Sequence, residues 1–139
     1  MKANKFLLGG IVGGIIFFLL GWLIYGILLK DTMKSPVAGL ERGDDNIIMW
    51  AMIVGHLAYG FLLSYVIGKS AGANLGSGAA TGFVVGLLLG ISYDFVMYGY
   101  SHIYESMKNV LTDIAVGTVI SVIVGAVIGG IYGMGKKTA

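Results

Sequence analysis

Gly78-Ala-Ala-Thr-Gly82-Phe-Val-Val-Gly86-Leu-Leu-Leu-Gly90-Ile-Ser-Tyr-Asp94 places a glycine at every fourth position and ends on a carboxylate. Residues four apart follow one face of a helix, so the row predicts a bare, closely approachable stripe. A second row lies downstream at Asp113, Gly117, Ser121, Gly125 and Gly129. Folded as an antiparallel hairpin, the two rows match from end to end: Gly78 with Gly129, Gly82 with Gly125, Gly86 with Ser121, Gly90 with Gly117. Asp94 then meets Asp113, with both carboxylates at one depth. Closest approach is expected around Gly86 and Ser121.

The surrounding composition says where such a hairpin lives. The 139 residues are 57% hydrophobic and 12% charged, whereas a soluble domain carries about 25% charged residues. Four apolar stretches, near 6–29, 47–68, 75–98 and 110–134, are each long enough to cross a hydrocarbon core of about 30 Å at about 1.5 Å per residue. The fold class expected is therefore all-α, one domain over 1–139: four transmembrane helices in an up-down bundle. In lipid, helices gain little by exchanging acyl chains for leucine, so small residues that let backbones meet guide their association. The first stretch adds Gly9, Gly10, Gly13 and Gly14 to the supply of such faces. A signal peptide is the rival reading of that stretch, but signal cores run only about 7–15 residues. A loose similarity between 19–25 and 89–93 also makes a parallel duplication conceivable.

Four spans put both termini on one side. Lys2, Lys5, Lys69, Lys136 and Lys137 gather there without an acid, so the termini are expected in the cytoplasm. The opposite side holds the long polar connection 30–46, with seven charged residues and Pro36, and the connection 99–109. Trp50, Tyr93, Tyr98, Tyr100 and Tyr104 are expected as rings at that interface.

Several chemistries are excluded or unsupported. There is no cysteine, so thiolate catalysis, disulfides and Cys-based metal sites are ruled out. A net charge of +2 without a long basic run gives no grip on nucleic acid. No hydrolase or zinc motif occurs, and neither a catalytic residue, a metal ligand set nor a cofactor is expected. Three side chains remain as a candidate ion or proton site: Asp94, Asp113 and His56. Two facing carboxylates disfavour joint ionisation, so a proton or a cation would sit between them. The plainer alternative pairs each Asp with a Tyr, Ser or backbone group, and gives Asp113 a helix N-terminal position favoured by the dipole. His56, near the middle of the second span, is expected to be neutral and hydrogen-bonded.

Ser92-Tyr-Asp-Phe95 together with Leu111-Thr-Asp-Ile-Ala-Val-Gly-Thr118 resembles small bacterial four-span membrane proteins grouped as domains of unknown function. The likeness covers mainly 82–133; the first half shares its hydropathy and Gly21-Trp-Leu-Ile-Tyr25. The resemblance implies a bacterial inner-membrane bundle and supplies no activity. Two functions are expected from different classes. One is a non-enzymatic membrane protein that self-associates, or joins a larger complex, through glycine-zipper faces; its partners are the bilayer and a second copy or another membrane subunit. The other is a small proton or cation transporter using Asp94 and Asp113.

Overall fold

A computed structural model describes residues 2–134 of the chain. Helix α1 is Ala3–Leu23 and continues into a π-helical turn, Ile24–Leu28. Helix α2 is Met49–Lys69, α3 is Leu75–Tyr100 and α4 is Met107–Gly133. No strand occurs among the described residues. All four helices are long and apolar enough to cross a membrane. They match the four expected stretches, with ends shifted by up to about three residues, as is usual for helix termini. Lys136 and Lys137, part of the expected cytoplasmic cluster, lie outside the described residues.

The helix ends explain themselves locally. Gly72, at a φ of 77°, makes the reversal after α2 that a side chain would resist. Asn74 then opens α3 with a reciprocal cap: its side chain accepts from Ser77 N at 3.1 Å, and its own N–H donates to Ser77 Oγ at 2.9 Å. Ser106 caps α4, accepting from Asn109 N at 3.4 Å. At the other end of α4, Lys5 Nζ donates to the carbonyls of Tyr132 (2.8 Å) and Met134 (2.5 Å). A cation there satisfies acceptors that the last turn leaves open, and it suits the dipole.

Two antiparallel hairpins make the bundle. In the first, α1 and α2 meet backbone to backbone, since a β-carbon on Gly14 would lie 2.7 Å from Leu57 Cα and one on Gly60 2.8 Å from Gly14 Cα. In the second, α3 lies along α4. The hairpins join chiefly where α1 crosses α4: a β-carbon on Gly13 would lie 2.7 Å from Ile128 Cδ1 and 3.3 Å from Val124 Cγ1. Half of the most apolar window of α4 is buried, against 17–28% for the others, so α4 is the strut on which the bundle leans. Its Ile120, Val124 and Ile128 form the core with Leu63 and Ile67 of α2.

Candidate functional site

The glycine rows come together in the orientation expected, with the crossing shifted. A β-carbon on Gly78 would lie 2.7 Å from Gly129 Cα, and one on Gly82 2.8 Å from Ser121 C. Gly125 faces both Gly78 and Gly82. At Gly86 the same atom would meet the Ser121 side chain, and at Gly90 it would sit an ordinary 3.5 Å from Ile114 Cα. The helices are therefore closest around Gly78 and Gly82, one to two turns nearer the termini than expected, and part towards the loop end. Gly117 does not face α3 at all: nothing lies within 4 Å of its missing side chain, and Ile114 and Thr118 take the place assigned to it. Steps of four residues turn a row by about 40° each on an α-helix, so a row long enough must leave the contact face.

The same drift decides what happens to the carboxylates. Asp94 and Asp113 do reach one end of the bundle, but Tyr104 stands between them. Its hydroxyl lies 2.9 Å from Asp94 Oδ1 and 2.5 Å from Asp113 Oδ2. The other oxygen of Asp113 accepts from the Tyr25 hydroxyl. Tyr104 was expected as an interface ring, and Tyr25 only as part of a short motif; both turn inward to the acids. Asp94 is 5% exposed. Asp113 is the seventh residue of α4, beyond the first turn, so the dipole position expected for it belongs to Ser106 instead. Burial, and then the hydrogen bond to and negative charge of Asp113, with Asp94 adding less, hold the Tyr104 phenol well above its ordinary ionisation range. It is a hydroxyl donor at any pH the protein meets.

Proton counting constrains this cluster. A hydroxyl has one proton and two lone pairs, and an ionised carboxylate only accepts. Three oxygen–oxygen contacts (Tyr25 with Asp113, Tyr104 with Asp113, Tyr104 with Asp94) take three protons, and the two phenols supply two. The cluster links α1, α3, α4 and the connection after α3. Tyr25 reaches it from the π-helical turn, a widening of the ladder that is frequent at functional sites.

Below the cluster the polar groups thin out. Ser121 Oγ donates to Gly117 O at 2.7 Å and so accepts from the Tyr59 hydroxyl at 2.9 Å. Near the termini, Ser64 Oγ donates to Phe6 O at 2.9 Å, and the Tyr132 hydroxyl donates to Ser64 O at 3.1 Å. Ser121 and Tyr132 are eleven residues apart on α4, about 16 Å. Leu63, Val124 and Ile128, fully buried, fill that interval.

His56 stands apart from the acids, on α2. Its Nδ1 lies 2.5 Å from Met52 O, and since a carbonyl only accepts, Nδ1 carries the hydrogen. Phe17 and Phe18 flank the ring at 5.5 and 5.4 Å. Among the described residues no three His, Asp or Glu side chains gather where they could hold a metal ion. No protein-family model, curated protein or solved structure matches this chain.

Proposed function

We propose that this chain is a non-enzymatic multi-pass membrane protein that holds an exchangeable proton at the loop end of its bundle. The observation that carries the reading is the single Tyr104 hydroxyl placed between two carboxyl groups. With both acids ionised, one would face the phenol oxygen with no proton between them, and two like charges would share one site. Two proton placements satisfy every contact, one with the proton on Asp113 and Tyr104 donating to Asp94, the other with the proton on Asp94. In the second, Asp94, as a neutral acid, donates to Tyr104, Tyr104 donates to Asp113, and Asp113, as the anion, accepts from Tyr104 and Tyr25. As the anion Asp113 accepts from two phenols, whereas Asp94 as the anion would accept from one, and this places the charge of the proposed state on Asp113. The pair titrates as a unit.

The lysine distribution supports cytoplasmic termini with the cluster at the outer interface, and the resemblance of 82–133 to small bacterial four-span proteins supports an inner-membrane location. The buried Leu63, Val124 and Ile128 separate the cluster from the other side. The site therefore exchanges its proton with one side only, and transport across the bilayer would require that section to open. Infrared difference spectra of the reconstituted protein test the reading. The expected result is one protonated-carboxyl band near neutral pH that disappears in Asp94→Asn and shifts in Tyr104→Phe. A wild-type spectrum with only ionised carboxylate bands would overturn it.

A second reading, assembly through small-residue faces, is favoured by Gly55, Gly117 and Gly130. Each has nothing within 4 Å of where a side chain would begin, so each presents open backbone to another helix. A second copy or a partner subunit docking there makes Gly117→Leu lower the detergent-solubilised mass; an unchanged mass removes this reading.

A further inference from the structure

We infer that the outer half of the α1–α2 hairpin is a binding site for a membrane-soluble phenol, with His56 Nε2 accepting the phenol hydroxyl. This assignment shares Tyr25 with the acid cluster but does not depend on which acid holds the proton. The geometry consists of a cavity of about 320 Å³ between the end of α1 and the start of α2. Phe17, Phe18, Trp22, Tyr25, Met52 and His56 are among its walls. Because Nδ1 donates to Met52 O, Nε2 is the nitrogen left to accept when the ring carries a single proton. It points across to α1, where a β-carbon on Gly21 would lie 3.5 Å away, and among the described residues no hydrogen bond reaches it. Glycine at 21 leaves the space in front of that nitrogen open.

The walls select the occupant. The Nε2 acceptor and the Trp22 indole N–H on the exposed rim are the polar side-chain groups of the lining, the Tyr25 hydroxyl being engaged with Asp113. A plain acyl chain would fill the space and leave the nitrogen unpaired in an apolar setting, which is unfavourable. A molecule with one hydroxyl donor on an apolar body satisfies both. An aromatic body adds edge-to-face contacts with Phe17, Phe18 and Trp22, and a sulfur contact with Met52. Trp22 is 61% exposed on the rim, so a ligand dissolved in the bilayer has a way in from the side.

The test uses the full chain in lipid nanodiscs, with Trp50→Phe leaving Trp22 as the only tryptophan. Para-hexylphenol and its methyl ether, para-hexylanisole, are titrated while Trp22 fluorescence is followed. Saturable phenol binding, about five- to tenfold tighter than ether binding, is the expected result for one added hydrogen bond. His56→Phe, which keeps a ring of similar size, should bring the phenol down to the affinity of the ether. Equal affinities of phenol and ether in the wild type would overturn the assignment without reference to any variant. So would a His56→Phe protein of unchanged circular dichroism that binds the phenol as the wild type does.

Discussion

Alanine placed at three glycines of nominally equal standing should give three different outcomes. At Gly82 a methyl group would fall 2.8 Å from Ser121 C and 3.1 Å from Val122 Cα, and both are backbone atoms that no rotamer change can move. Relief requires α3 and α4 to separate by roughly 1 Å along their tightest stretch, a form of overpacking that costs about 1–3 kcal/mol. The helix-propensity gain of alanine over glycine is at most about 1 kcal/mol and smaller in lipid. The net expected for Gly82→Ala is a destabilisation of about 1–2 kcal/mol. At Gly90 the methyl group meets Ile114 at ordinary contact distance, and at Gly117 it meets nothing, so both variants should stay within about 0.5 kcal/mol of the parent or gain slightly. Reversible unfolding in mixed micelles of rising SDS fraction, followed by tryptophan fluorescence, measures all three. Equal midpoints for Gly82→Ala and Gly117→Ala would refute the crossing point and the reasoning built on it.

Tyr104→Phe removes the hydroxyl between two acids and leaves Asp94 without its donor–acceptor partner; a loss of about 1–3 kcal/mol in the same assay is expected, and no loss would show that the bridge does not form. Because the Tyr104 phenol ionises above its ordinary range in the folded chain, its contribution is complete below about pH 10. It falls as pH rises past that point, where the unfolded chain releases the proton and the folded one does not. A stability profile measured from pH 8 to 11 should therefore decline at its alkaline end, and Tyr104→Phe should flatten that decline. Ser106→Ala deletes the cap of α4 and is expected to cost about 1 kcal/mol, with faster amide exchange confined to 107–110 if the assignment of the cap holds. Lys5→Met should loosen the carbonyls of Tyr132 and Met134, seen as faster exchange in the last turn of α4; unchanged exchange would show that the lysine does not cap it.

The spacing of Gly78, Gly82, Ser121, Gly125 and Gly129 was readable because steps of four trace a helix face, and lipid leaves small residues as the main signal of contact. The limits of the row were not readable. Nothing in the letters says at which turn two crossing helices part, so Gly90 and Gly117 look identical to Gly82 while meeting an ordinary contact and empty space. The two aspartates were legible as a pair through their matched places at the loop end. The tyrosines were not. Tyr104 sits in a run of interface-type rings, where an aromatic belt is the natural expectation. Tyr25 reaches Asp113 across 88 positions from a π-helical turn that has no sequence signature. The alignment of α1 with α4 depends on several close packings at once, and no single residue announces it.

The strut of the bundle is also the last of the four helices to be made. Until residues 107–133 have been inserted, α3 has no long neighbour to lie on and α1 lacks one of its two flanks. The α1–α2 hairpin, whose glycines already meet each other, has what it needs to pair during synthesis. The third span instead waits alone in the bilayer, its bare row turned to acyl chains, until the fourth arrives. During that wait its stripe is open to any other small-residue helix nearby, and the twenty-seven residues still to come close that window.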